Sequence, residues 1–376
     1  MGQAYVPGLK VSERQIVHKE RVLPLKGEIK VKIGDKVKAS DVVAATNLPG
    51  NVELINVVNK LAITPAELGS CMLAREGDII SKGQMLAQSK GFFGYFKSSC
   101  QSPVSGTVEN ISSITGQVVL REPPIPVEVH AYVDGIVEEI HKDVGVTIKL
   151  QAAFVQGVFG IGGEVVGEIS MISRGLEDEI VAREILPEHA GKIIVGGSFI
   201  VADALKKAVD TGVKGIIVGG IDAKDLRDFL GYDIGVAITG SEEMGLTMIL
   251  TEGFGKINMA KKTYDLLSKH NGKQASINGA TQIRAGVIRP EIIIPLKNIE
   301  EDKIKEAEIR KDVGLTPGKL VRIIREPDFG AVVKVKSLPV TLMKLESETM
   351  VRVVEVEHPD GSVRVVPRAN IEIIES

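Results

Sequence analysis

The chain has 376 residues, more than one ordinary core accommodates, so two or three domains are expected. Its 46 Lys+Arg and 49 Asp+Glu leave a net charge of -3, which argues against a global positive field that would gather nucleic acid or anionic membrane. At 44% hydrophobic and 25% charged the composition is that of a globular protein, and two cysteines without CxxC or Cys/His spacing argue against a disulfide framework or a zinc site.

Residues 1–10 lack a basic head followed by an apolar core, and no apolar run approaches the ~20 residues that span a bilayer. A cytoplasmic protein with reduced, packed Cys71 and Cys100 is therefore expected. Tryptophan is absent, glycine counts 40 and aromatics only 4%, which implies Val/Ile-rich strands joined by tight turns.

Residues 20–150 read as short strands between turn signals, with a helical insertion near 56–75 carrying Val57, Val58, Leu61, Leu68 and Met72. An internal repeat runs through this stretch. Ser102-Pro-Val-Ser-Gly-Thr-Val-Glu-Asn-Ile recurs 29 positions later as Ala131-Tyr-Val-Asp-Gly-Ile-Val-Glu-Glu-Ile. A second cassette, Gly34-Asp35-Lys36-Val37-Lys38 followed by Leu48-Pro49-Gly50-Asn51-Val52, matches Gly77-Asp78-Ile79-Ile80 followed by Ser102–Val108. Each cassette places a tight turn before a strand, and the repetition predicts stacked hairpins sharing a barrel core.

These cassettes resemble the lipoyl/biotinyl-like sandwich-barrel hybrid domains found in carrier proteins, Rnf-type electron-transport proteins, membrane-fusion adaptors and the largest RNA polymerase chains. The resemblance covers roughly a third of the chain and implies a fold, not an activity. Carriers of that type present Met-Lys-Met or Asp-Lys-Ala at a hairpin tip, and neither occurs here. The fold is thus expected without a prosthetic group, and no cofactor is assigned. Between Lys90 and Lys97 lies Gly91-Phe92-Phe93-Gly94-Tyr95-Phe96. Phe92, Phe93, Tyr95 and Phe96 are either an exposed partner-docking cluster or a plug folded back over the barrel.

Gly157-Val-Phe-Gly160-Ile-Gly162-Gly163-Glu164 has the look of a phosphate cradle, but Val165–Ile172 reads as a strand and no helix follows, so a tight interdomain turn is expected. Residues 151–295 then alternate strand-like and helix-like runs. In order these are Lys192–Val195, a helix Phe199–Asp210, Lys214–Val218, Ala223–Leu230, Gly235–Thr239, Thr247–Leu250, a helix Ile257–His270, Gln274–Ile277 and Glu291–Ile294. This predicts an α/β domain with a largely parallel sheet. Ligands of open α/β sheets bind at the carboxyl ends of the strands, where Ser198, Asp222, Thr239, Ser241, Glu252 and Asn278 would gather. The alternative is ordinary turn chemistry, with Ser198 and Asp222 as helix N-caps. Arg284 and Arg289 are candidates for holding a small anion, or for pairing with Glu242, Glu243 or Glu291.

Residues 296–312 form a charge-dense linker or short helix. Residues 313–376 are strand-rich again. Pro317–Ile324 followed by Pro327–Val335 resembles a KOW-type SH3-like barrel, although Ala331-Val332-Val333 lacks that pattern's second glycine. His358-Pro359-Asp360-Gly361 predicts a hairpin turn. KOW barrels contact nucleic acid or ribosomal and transcription partners, but this tail balances nine Lys/Arg against nine Asp/Glu, which suits protein docking better than phosphate tracking.

The six histidines are scattered without HxH or HxxxH pairing, and no Gly-x-Ser-x-Gly elbow occurs, so no catalytic or metal-binding residue is assigned. The expected architecture is multi-domain α/β plus all-β: a sandwich-barrel hybrid, a central parallel α/β domain and a C-terminal SH3-like barrel. The expected function is a non-enzymatic interaction or assembly protein docking through its β-modules to itself or to a larger complex. The alternatives are a small-anion-binding or catalytic α/β domain with accessory barrels, and an RNA- or transcription-associated KOW protein.

Overall fold

The computed structural model describes residues 9–89, 97–231, 245–281, 288–296, 315–323, 328, 331–339, 343–344 and 350–373. Strands dominate, helices are few, and the strands divide among several sheets, a mixed α/β architecture. Among the described residues no helix is long and apolar enough to cross a membrane.

The first 156 residues supply β1 (Val11–Val22), β2 (Glu28–Ile29), β3 (Lys36–Val37), β4 (Val42–Leu48), β5 (Val52–Asn56), α1 (Val57–Leu61), α2 (Leu68–Cys71), β6 (Ile79–Ile80), β7 (Met85–Gln88), β8 (Ser99–Gln101), β9 (Gly106–Ile111), β10 (Gln117–Arg121), β11 (Ile125–His130), β12 (Gly135–His141) and β13 (Gly145–Gln156). The helical insertion is present as α1 and α2. Asn56 caps α1 by accepting from the Asn59 amide at 3.1 Å, and Val57, Val58 and Leu61 of α1 and Leu68 of α2 are buried.

The sequence repeat corresponds to two equivalent strand sets, and turn chemistry shows why. Gly34 and Gly77 sit at φ +90° and +91° with open space where a Cβ would go, so glycine is needed there for its backbone freedom alone. Gly34 N donates to Val137 O at 2.8 Å and Gly77 N to Val108 O at 2.8 Å; Val137 N and Val108 N donate back to the Asp35 and Asp78 carbonyls, both at 2.9 Å. The Asp35 and Asp78 carboxylates each accept the amide three residues earlier, at 2.8 and 2.7 Å. One unit therefore contains β1, β3, β4, β11, β12 and β13, with the short β2 added beside β4, and its equivalent contains β5 to β10.

The second unit is inserted into the first, between β4 and β11. This corrects one sequence pairing. The Gly34 cassette is completed by Ala131–Val137 and not by Leu48–Val52, which instead leads the chain into the inserted unit. Each unit has its own apolar core, around Val43, Val137 and Ile148 in one and Leu86, Val118 and Leu120 in the other.

The next stretch adds β14 (Phe159–Ile161), β15 (Glu164–Met171), β16 (Glu179–Ile180), β17 (Ile193–Val195), β18 (Phe199–Ile200), α3 (Ala202–Thr211), β19 (Gly215–Ile221), α4 (Ala223–Leu230), β20 (Thr247–Phe254), α5 (Lys261–Lys269), β21 (Gln274–Asn278) and β22 (Glu291–Pro295). The helix expected from Phe199 starts later, because Phe199–Ile200 pairs in parallel with β16 and β19. The expected strand Gly235–Thr239 lies outside the described residues. β20, β19, β17 and β15 are parallel neighbours, flanked antiparallel by β14 and β21. Successive residues Ile216 and Ile217 are both 0% exposed, as a central strand covered on two faces requires. Leu205 and Leu226 of α3 and α4 pack on one face and Leu266 and Leu267 of α5 on the other.

β13 joins the two regions. β1 lines one of its edges, while the other edge is shared by β12, opposite residues 145–149, and β22, opposite residues 152–156. The composition boundary at residues 150 and 151 therefore falls inside a continuous strand, and a 13-stranded sheet runs from one region into the other.

The C-terminal strands are β23 (Leu320–Ile323), β24 (Val332–Ser337), β25 (Met343–Lys344), β26 (Met350–Val351), β27 (Val353–Glu357), β28 (Val363–Pro367) and β29 (Ile371–Ile373). Five of them form an antiparallel sheet in the order β28-β27-β24-β23-β29 around Val321, Val333, Val335, Val354 and Val356. The hairpin turn at His358–Gly361 is closed by His358 N donating to Ser362 O at 2.9 Å. The charged run 297–312 lies outside the described residues.

Candidate interaction surface

The carboxyl ends of the parallel strands are covered by the chain's own backbone. A Cβ on Gly219 would lie 2.1 Å from Ile257 O, one on Gly220 2.1 Å from Gly255 O, and one on Gly197 2.3 Å from Gly175 O. The glycines after these strands thus permit backbone-on-backbone packing. Ser198 is fully buried and its hydroxyl donates to Glu177 O at 2.9 Å; it is not an N-cap, since α3 begins after Val201. Asp222 is the N-cap of α4, accepting from Lys224 N at 2.7 Å. Replacing Asp222 by alanine is expected to cost about 1 kcal/mol of stability, checked by urea unfolding.

Glu252, on β20, is 7% exposed. One carboxylate oxygen accepts from Ala260 N at 2.8 Å and the other is paired with Arg322 of β23, so the C-terminal sheet docks at this edge. Burial raises the Glu252 pKa, and the Arg322 guanidinium opposes the rise.

Asn278 is not at that edge. β21 runs antiparallel to β15, which carries Asn278 to the start of β15 opposite Glu164, and the antiparallel β22 brings Arg289 and Glu291 to the same end. Asn278 accepts from Ala280 N at 2.9 Å. Thr239, Ser241 and Arg284 lie outside the described residues, as do Phe92, Phe93, Tyr95 and Phe96.

This opposite end holds a half-buried charge cluster around the buried Tyr132 that no motif or spacing announces. Arg21 grips Glu164 with two hydrogen bonds of 2.7 Å, and Lys19 pairs with Glu291. Both cations lie over the Tyr132 ring, 5.5 and 5.3 Å from its centroid. Tyr132 is 2% exposed and adopts φ +67°, and burial followed by the Glu291 and Glu164 carboxylates raises its pKa well above the usual phenol value. The cluster pins β1, β15 and β22 together beside a cleft of about 590 Å³ lined by Glu20, Glu128 and His130 among others.

The inserted unit presents a different surface. Its four-stranded sheet has the order β5-β10-β9-β6. Cross-strand pairing sets Val52, Arg121, Thr107 and Ile79 in one row on the outer face, and Leu54 beside Val119 in the next. Val52, Leu54 and Ile79 are 47, 60 and 83% exposed. Arg121 is held flat by Glu109 through two 3.0 Å hydrogen bonds. At one end of the row, Pro49, Gly50, Ile79, Pro123 and Pro124 line a cleft of about 490 Å³. Covering the three aliphatic side chains would contribute roughly 1–2 kcal/mol each.

No protein-family model matches this chain, and no curated protein matches its sequence. The functional reading rests on the surface alone. Among the described residues, Val52, Leu54 and Ile79 are exposed aliphatics on the outer face of this sheet, with Arg121 and Thr107 between Val52 and Ile79. Single exposed aliphatics are ordinary on protein surfaces, and these three share one face beside a cleft.

Proposed function

We propose that the chain is a non-enzymatic interaction or assembly protein of the cytoplasm, docking through its β-rich modules to itself or to a larger complex. The observation that carries this reading is the outer face of the inserted unit, where Val52, Leu54 and Ile79 stand exposed beside the Pro49–Pro124 cleft. The two nested units, each built on a Gly-Asp turn and a returning strand, support a sandwich-barrel hybrid fold that serves as a docking platform. The five-stranded C-terminal sheet, with a 3-10 turn at Arg368–Asn370 before its last strand, supports an SH3-like barrel of KOW type.

The test is a double substitution, Leu54→Lys with Ile79→Lys, read by native mass spectrometry of protein purified gently from its own cells. Both side chains are exposed, so the fold should persist by circular dichroism. Loss of about 2 kcal/mol of apolar contact predicts at least about a tenfold weaker association. Unchanged oligomer and partner content would remove the proposal.

A further inference from the structure

We infer that the chain pairs with a second copy of itself, edge to edge along β5, about a two-fold axis at Leu54. This rests on the assembly reading above and names its partner.

The inference starts from hydrogen-bond parity. Glu122 N donates to Asn51 O at 2.9 Å and Val57 N to Gly116 O at 3.2 Å. In an antiparallel ladder bonded and non-bonded pairs alternate. Asn51, Glu53, Ile55 and Val57 therefore face β10, while Val52, Leu54 and Asn56 turn their amides away from it. β5 is the end strand of its sheet, and the N–H and C=O of Val52 and Leu54 have no backbone partner among the described residues.

The equivalent strand of the outer unit shows what a protected edge looks like. β1 carries His18, Lys19, Glu20 and Arg21 in succession and a register break between Ser12 and Gln15. Charges and bulges of this kind blunt strand edges. β5, Val-Glu-Leu-Ile-Asn, has one charge, unbroken register and no proline.

Strand length and charge together select the register, since Leu54 is the middle residue of β5 and a two-fold there pairs all five of its residues. A two-fold at Glu53 would set two carboxylates face to face, which is destabilising. A two-fold at Leu54 sets Glu53 opposite Ile55 and leucine against leucine. Leu54 exchanges two hydrogen bonds with its counterpart, and each Asn56 N–H reaches a Val52 carbonyl. The two four-stranded sheets become one of eight strands, with Val52 and Leu54 of both copies meeting on the outer face.

The test uses the full chain. Cys71 and Cys100 are both buried, so a cysteine introduced at position 54 is the accessible thiol. Bonded pairs hold their Cα atoms about 5.5 Å apart, within disulfide reach, whereas Glu53→Cys would sit on a diagonal of about 7–8 Å, beyond it. Under mild oxidation Leu54→Cys should give at least ten times more cross-linked dimer than Glu53→Cys. Leu54→Pro removes only an outward amide, so it should abolish the dimer in sedimentation while leaving the circular dichroism spectrum unchanged. Equal cross-linking at both positions, or none at position 54, overturns the inference. A dimer that survives Leu54→Pro overturns it too but leaves the broader assembly reading standing. A monomer that also retains no stoichiometric partner removes both.

Discussion

Arg322→Ala is expected to destabilise the protein by about 3–5 kcal/mol at neutral pH, the usual result of stripping one partner from a buried ion pair. Glu252 is 7% exposed, and without Arg322 its charge would rest on Ala260 N–H at 2.8 Å and on the neighbouring Thr251 side chain. Arg322 is itself incompletely satisfied, since Nη1 is buried with no hydrogen-bond partner among the described residues. Replacing both partners, as Glu252→Gln with Arg322→Met, should therefore recover most of the loss.

The deficit should depend on pH with a definite sign. Burial raises the Glu252 pKa and Arg322 pulls it down, so removing Arg322 raises it further. A carboxylate whose folded-state pKa is raised favours folding below its unfolded pKa and loses that contribution as pH rises through the folded value. The Arg322→Ala deficit should thus be smaller near pH 4.5 than near pH 8, the span above the ordinary Glu pKa of about 4.3. Urea unfolding followed by circular dichroism measures it. Amide exchange at Val321 and Ile323 should accelerate in the same variant, because the ion pair ties β23 to β20. A deficit under about 1 kcal/mol, or one that does not change with pH, would mean the two sheets are held together otherwise.

What could be read from the sequence was local. The Gly-Asp turns at Gly34 and Gly77, the 29-residue repeat and the α1–α2 insertion carry their causes within a few residues, so spacing reveals them. What failed depended on distant partners. The pattern around Gly34 does not say that its completing strand arrives a full inserted unit later. The run Gln274–Ile277 reads as a strand but not as an antiparallel one, and that direction alone moves Asn278 to the opposite end of the sheet from Ser198 and Glu252. Glu252 reads as a ligand residue until Arg322 is brought to it from another sheet. Leu54 and Ile55 are neighbours of like chemistry, and only the faces they take in β5 separate them, Leu54 being 60% exposed on the outer face and Ile55 2% exposed in the core. The Lys19–Arg21–Tyr132 cluster draws on segments with no shared spacing at all.

Gly219→Ala tests whether the strand ends are closed by backbone packing or open to a ligand. Three backbone oxygens surround the missing Cβ: Ile257 O at 2.1 Å, Ser198 O at 2.8 Å and Gly197 O at 2.9 Å. None belongs to a flexible side chain, so relief requires β19 or the segment after β20 to shift. The expected cost is about 3 kcal/mol, the upper end of overpacking penalties. Gly163→Ala is the matched control, because nothing lies within 4 Å of its Cβ and its φ is not positive. There the reduced freedom of the unfolded chain should leave stability unchanged or raise it by about 0.5 kcal/mol. Urea unfolding of the pair separates the cases. A large gap means that Gly219 serves close packing, which leaves the crevice beside it filled by the chain itself. A Gly219→Ala cost below about 1 kcal/mol would mean that the covering segments give way easily, and the small-anion reading of the central sheet would regain its place.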